Sequence, residues 1–278
     1  MQIGLRLHDT IEGTLGEKLS FVHGQGFTCT HLALSKANPQ HPFTASALTP
    51  GYAGWVKKQL EQNHIDLAVL GCYLNLATPD QEELSQSLAM YEAHIRFLSQ
   101  IGHGVVGTET GAINKAYAYE PDNHSDRALS ILIENLAKVV QVAEKFGVIV
   151  VIEPVSRHIV YDGKRARKVL DEIQSPNLRI LLDPVNLLDF SNYSQREQII
   201  EEAISLLHKE IDILHLKDYI IQKDQLIETA PGEGEMVYDD ILRFVKKEKP
   251  LLYTTLECTT PQNARESRLF LEKIYQKV

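Results

Sequence analysis

The chain has 278 residues, 28 of them basic and 37 acidic, for a formal net charge of -9. A surface of that sign repels phosphate backbones on average, which counts against nucleic acid as a partner. Hydrophobic residues make up 44% of the chain, enough for a large core. No run reaches the roughly 18 apolar residues that a membrane span needs, so no membrane partner is expected. The start, Met1-Gln2-Ile3-Gly4-Leu5-Arg6, lacks the basic and apolar segments of a secretory signal, and a cytoplasmic location is the expectation.

In chain order, Gln2–Leu7 reads as a strand, and a weak helical pattern over Leu15–His23 follows it. Phe27–Leu34 is the second strand. Thr49-Pro50 precedes a helix at Tyr52–Asn63, and Ile65–Leu70 is the third strand. Thr78-Pro79, a cap followed by proline, opens a helix whose Leu84, Leu88, Tyr91, Ile95 and Leu98 form one apolar stripe. After the strand His103–Thr108, a second stripe (Leu129, Leu132, Leu136, Val139, Ala143) ends near Gly147. The strand Val148–Glu153, the helix Lys164–Ile173 and the strand Leu178–Asp183 come next. Ser194 with Glu197 reads as a capping box for a helix to Lys209. Ile211–Leu216, a helix at Tyr238–Lys247, and Leu251–Glu257 follow. Thr260-Pro261 starts a last helix that reaches Tyr275.

Strand and helix alternate eight times without a break in composition, which predicts one domain over residues 1–278, a (β/α)8 TIM barrel. Continuous apolar runs such as Val148–Ile152 suit parallel strands covered on both faces. Cys29, Cys72 and Cys258 show no pairing pattern and read as small buried residues. Three long segments, Ser35–Pro50, Thr110–Ser125 and Asp218–Glu235, follow strands and therefore lie at the carboxyl face, where barrels keep their sites. Their aromatic and polar residues suit a lid over a small polar ligand, or plain surface elaboration. Pro231–Glu235 (P-G-E-G-E) reads as a turn before the next helix. A phosphate cradle, with Lys217 supplying charge, is the alternative.

Four late strands end in metal-ligand types: Glu153, Asp183, His215 and Glu257, each about one strand–helix unit from the next. Taken singly, each is as good a capping or salt-bridging group. Together, on neighbouring staves, they converge, and a cation is the simplest offset for three facing carboxylates. A metal-free polar site is the other reading. One imidazole with three carboxylates suits one divalent ion of Mn, Co, Fe or Zn.

The E-P-V at Glu153, L-L-D-P-V-N at Asp183, H-L-K-D at His215, the P-G-E-G-E loop and the final L-E resemble the xylose isomerase-like sugar phosphate isomerase/epimerase superfamily. The resemblance is densest from Val148 to Glu257. It implies that Glu153, Asp183, His215 and Glu257 match the metal ligands of the ketose 3-epimerase branch. It also implies that Glu153 and Glu257 form the acid/base pair, working on opposite faces of the sugar. The implied reaction is proton transfer through a metal-stabilised enediolate.

Three positions depart from that branch. Asn186 stands where members often have histidine, and it cannot carry a proton. Ile159 replaces a further glutamate, with Arg157 and His158 the nearest polar residues. Lys217 and Asp218 replace the pattern that leads to a substrate-binding arginine.

Asn186, Lys217, His158 and, from the amino-terminal half, Arg6, His8 and Glu109 are the candidate substrate contacts, with His31 and Asn75 behind them. For the amino-terminal residues a satisfied structural role is equally consistent. Glu109 is the first choice, being next in barrel order to Glu153. The expected function is a metal-dependent isomerase or epimerase of a sugar, sugar phosphate or polyol derivative. The alternatives are an inosose dehydratase-like lyase on the same scaffold and, further off, an endonuclease IV-like phosphodiester hydrolase, whose additional histidines this chain lacks. A homo-oligomer is expected only from the resemblance.

Overall fold

Strands that are apolar at successive positions must be covered on both faces, and eight of them close into a parallel barrel in the computed structural model, which describes residues 1–278. The strands are β1 (Gln2–Arg6), β2 (Cys29–Leu32), β3 (Asp66–Gly71), β4 (Val105–Glu109), β5 (Val150–Glu153), β6 (Leu178–Leu182), β7 (Ile211–Leu216), a separate hairpin of β8 (Asp218–Gln222) and β9 (Gln225–Thr229), and β10 (Tyr253–Leu256). β10 pairs with both β7 and β1, which closes the ring. The helices are α1 (Leu15–Gly24), the short α2 (Leu34–Ala37), α3 (Pro50–Gln62), α4 (Gln81–Ile101), α5 (Asp126–Phe146), α6 (Gly163–Ile173), α7 (Arg196–Leu207), α8 (Asp239–Glu248) and α9 (Ala264–Lys277). No helix is long and apolar enough to cross a membrane.

The helix starts correct several expectations. The weak first pattern is firmly capped: the Thr14 hydroxyl accepts from the Glu17 N–H, and the Glu17 carboxylate accepts from the Thr14 N–H in return. The Ser194/Glu197 box does not form, because a 3-10 turn over Tyr193–Gln195 intervenes and α7 starts at Arg196 without a side-chain cap. Asp80, not Thr78, caps α4, and Thr78 donates to Glu83. Thr260 and Asn263 close a turn on each other, so α9 starts at Ala264.

Two apolar layers follow from the two faces of each strand. Val150 and Ile152 face the helices within the large outer cluster. Val151 faces the barrel axis with Cys29, Ala68, Val69, Val105, Leu181 and Ile213. Where backbones crowd the axis the side chain disappears: a Cβ on Gly4 would collide with the Cys29 carbonyl, and one on Gly107 with the Val69 side chain. Alternation has period two, so whatever stands two residues beyond an inward residue also points to the axis.

His94 on α4 is fully buried against the edge of Phe43, with Nε2 lacking a partner. Burial pushes its pKa down to about 4. The unfolded chain, with an ordinary histidine near 6.5, binds a proton that the folded chain refuses. Stability from this group is therefore intact above about pH 6.5 and falls as the pH drops toward 4. We predict that His94→Phe loses about 2–3 kcal/mol less unfolding free energy than wild type between pH 7 and pH 4.5, as read from denaturant curves at both pH values.

Candidate metal and catalytic site

The inward parity assembles the site. Glu153, Asp183 and His215 lie two residues beyond the inward Val151, Leu181 and Ile213. Thr255 is in register with His215, which places Glu257, two residues later, on the same side. All four side chains are buried. His215 Nδ1 lies 3.4 Å from Glu153 Oε1 and 3.2 Å from Glu257 Oε1. Ligand atoms of Glu153, Asp183 and His215 fall within 4.8 Å of one another.

This donor set fits a divalent ion. Bonds of about 2.1 Å at tetrahedral to octahedral angles put neighbouring ligand atoms about 3.0–3.4 Å apart. Both ring nitrogens of His215 and Oδ2 of Asp183 are buried without a hydrogen-bond partner. Unpaired polar atoms of this kind are costly unless a ligand satisfies them. The charge balance points the same way. Burial pushes the Asp183 carboxyl up to about 7 despite the pull of Lys217. Burial opposes a charged Glu257, yet His215, Lys217 and Arg6 outweigh it and hold that carboxyl well below the usual range. Burial likewise opposes a charged His215, but Glu257 and Glu153 raise it.

The sequence-derived contacts surround this floor. Arg6, His8, Glu109, His158, Asn186 and Lys217 all line one cavity of about 570 Å³, together with Glu153 and Glu257. Asn186 Nδ2 donates to Glu153 Oε1 at 2.7 Å, and Lys217 Nζ donates to Asn186 Oδ1 at 2.6 Å. Arg6 is divided between Asp9, at 2.8 Å, and Glu257, at 3.2 Å. Glu109 Oε2 accepts from the Tyr117 hydroxyl at 3.1 Å and lies 3.7 Å from His158 Nδ1. Burial lowers His158 to about 4, so that last contact is not an ion pair at neutral pH. Burial and the charge of Glu153 raise Glu109 to about 7, against the Tyr117 hydrogen bond.

His31 stacks on His215 with ring centroids 5.2 Å apart. Asn75 is structural: it donates to the carbonyls of Ala112 and Asn114 and pins the loop after β4. Of the departures after β5, Ile159 is core, Arg157 is exposed, and only His158 faces the cavity.

Two cavity groups, Tyr73 and Glu228, and one residue that braces the cavity wall, Tyr117, were not singled out from the sequence. Tyr73, two residues beyond Gly71, bonds His31 Nε2 at 3.2 Å. Tyr117 reaches Glu109 only by adopting a left-handed φ of 53°. Glu228 projects from the hairpin, which the sequence presented as loop. Its signal was present as two apolar stretches, Tyr219–Ile221 and Leu226–Ile227, around a Lys223-Asp224 turn with both φ positive. The absence of an Asn-Gly or Asp-Gly pair hid it.

Pro231–Glu235 is a structural turn. The Asp218 carboxylate accepts N–H bonds from Tyr219, Gly232 and Met236 at 2.8, 3.0 and 2.8 Å. A Cβ on Gly234 would strike the Tyr219 carbonyl. Asp218 is therefore occupied by backbone. All three cysteines are free; Cys29 and Cys72 are buried and Cys258 half-buried. We predict that Asp218→Ala destabilises the fold by about 2–4 kcal/mol, because charge-assisted bonds are lost and buried N–H groups are orphaned. Urea unfolding measures it.

The sequence signature described as "xylose isomerase-like TIM barrel" matches residues 20–274, and the chain belongs to that family. No curated protein sequence matches it. Among solved structures it is similar to a D-tagatose 3-epimerase-like protein, with 16% identity, TM-score 0.78, and coverage of 100% of this chain and 98% of that one. It is similar also to the probable 3-DHS dehydratase AsbF from Bacillus anthracis, with 14% identity, TM-score 0.73, and coverage of 99% and 98%. A third is the IolI protein with a binding zinc atom, with 15% identity, TM-score 0.69, and coverage of 100% and 99%.

Proposed function

We propose that this protein is a divalent-metal-dependent isomerase or epimerase of a sugar, sugar phosphate or polyol derivative. The observation that carries this reading is the pair of buried carboxylates, Glu153 and Glu257, within 3.4 and 3.2 Å of one imidazole at the floor of a polar cavity. Glu153, Asp183, His215 and Glu257 would hold the ion, with Mn, Co, Fe or Zn suiting the donor set. A bound ion would supply Lewis acidity toward a carbonyl and its neighbouring hydroxyl.

The chain's own groups then divide the work. One of Glu153 and Glu257 removes the proton beside the carbonyl, and the other returns one to the opposite face or to the adjacent carbon. Asn186 fixes Glu153 through Oε1, and Arg6 fixes Glu257 through its own Oε1; Oε2 of each makes no hydrogen bond and is the oxygen for proton transfer, that of Glu257 lying 3.7 Å from the Lys217 ammonium. His8 and His158, both pushed down to about 4 chiefly by burial, are neutral hydrogen-bonding groups toward a polyol. Glu109, braced by Tyr117, is placed to bind a hydroxyl on the β4 side of the cavity.

The same constellation serves a dehydratase when the substrate carries a β-hydroxyl that leaves after proton removal. Free and phosphorylated ketoses, aldoses and inososes incubated in D2O separate the two. Carbon-bound deuterium in a product of unchanged formula marks the isomerase or epimerase; loss of water marks the dehydratase. We predict that Glu153→Gln and Glu257→Gln each lower turnover by about a thousandfold or more. Full activity in both variants would falsify the mechanism. Glu109→Gln is expected to raise KM more than it lowers kcat, as for a group that binds ground and transition states alike.

A further inference from the structure

A third kind of group sits among the ligand-type residues: the ammonium of Lys217, only 3% exposed. Lys217 is the single residue between β7 and the hairpin strand β8, so the chain turns from barrel to hairpin there. Its Nζ donates to Asn186 Oδ1 at 2.6 Å and pairs with Glu228 Oε1, on hairpin strand β9, at 2.8 Å. The ligand-type carboxylates are farther away: Asp183 Oδ2 at 3.4 Å and Glu257 Oε2 at 3.7 Å.

The oxygens are thereby sorted. Oε1 of Glu153 and Oε1 of Glu257 face His215. Oδ1 of Asp183 accepts the Val185 N–H. Oδ2 of Asp183 accepts nothing and is the one oxygen that an ammonium and a metal ion would both claim. An ammonium has three N–H groups. Two are taken by the shorter contacts to Asn186 and Glu228, which leaves Asp183 Oδ2 in a longer ion pair at 3.4 Å.

We infer that Lys217 is a resident counter-cation for the metal ligands, held off them by Glu228 and Asn186, and that it sets the affinity for the ion. The inference rests on the proposed metal set. Three buried carboxylates without a cation would strongly destabilise the fold, and Lys217 offsets them whether or not an ion is bound. Its positive charge also repels a divalent ion across a short, poorly screened distance, so the site binds more weakly than its four ligands alone would. Glu228 limits that competition: without its charge, Lys217 is free to settle on Asp183 Oδ2 and Glu257 Oε2. Lys217 is thus a positioning residue that acts through the carboxylates, and the hairpin reaches the floor of the cavity through one ion pair.

The test is calorimetric titration of Mn²⁺ into the chelator-stripped full chain, with thermal unfolding of each protein with and without Mn²⁺. Lys217→Met should bind Mn²⁺ about tenfold more tightly and, without Mn²⁺, melt at a lower temperature than wild type. Lys217→Arg, which keeps the charge, should restore the melting temperature. Glu228→Gln should weaken Mn²⁺ binding in the wild-type background, and clearly less so in the Lys217→Met background. If Lys217→Met does not fold alone, the inference requires that millimolar Mn²⁺ restore it, and a variant unfolded even then overturns it. Equal or weaker Mn²⁺ binding by a folded Lys217→Met overturns the counter-cation role while leaving the metal set standing. Absence of Mn²⁺ binding by every variant overturns the metal set, and the inference with it.

Discussion

Like charges gathered out of water repel, and this protein gathers three of them. Glu153, Asp183 and Glu257 are buried side by side because the inward parity of a closed barrel leaves them nowhere else to point. Much of the local structure answers that repulsion. His215 sits between two of the carboxylates, Arg6 leans on one from β1, and Lys217 faces two from just beyond the end of β7. Even with these offsets, burial leaves the Asp183 carboxyl raised to about 7. The cluster therefore still favours positive charge, a proton or a cation, after using its own.

The proposed chemistry rests on how the carboxylates are individually restrained. Glu153 and Glu257 each have Oε1 tied by a close donor, Asn186 or Arg6, and Oε2 without a hydrogen bond. Proton exchange at carbon needs carboxylates that are fixed in direction but not exhausted by hydrogen bonds. The neutral histidines on the walls add directionality without adding charge, which suits a hydroxyl-rich ligand. Family membership and the solved structures define the barrel; the proposed reaction rests on the geometry of Glu153 and Glu257.

Sequence alone disclosed the barrel, because continuous apolar runs of strand length and strand–helix alternation are local signals. The convergence of Glu153, Asp183, His215 and Glu257 was legible from their places, since strand ends are where an inward residue first becomes free to be polar. Asn186, Arg6, His8, Glu109, His158 and Lys217 were reachable as neighbours of those ends, and all six do line the cavity. What stayed hidden depended on contacts distant in sequence or on unusual backbone. Tyr117 joins Glu109 through a left-handed turn that nothing in its sequence announces, and Glu228 belongs to a hairpin whose turn residues are not the customary ones. For Asn75 the structural alternative holds, since its polar side chain is spent on loop carbonyls. Capping was misread at Ser194 because a 3-10 turn displaced the helix start.

The β8–β9 hairpin is joined to the barrel at Lys217, while its Lys223-Asp224 tip stands clear of the eight-stranded ring. Because it forms its own two-stranded sheet, changes in its length or tip leave every barrel register untouched. The hairpin is therefore a detachable control surface on an invariant frame. Lengthening or trimming it would change which side chains overhang the cavity, and how firmly the lysine beneath is restrained, without disturbing the catalytic floor. The rim of the cavity can change by insertion and deletion at one turn while Glu153, Asp183, His215 and Glu257 stay anchored in the staves.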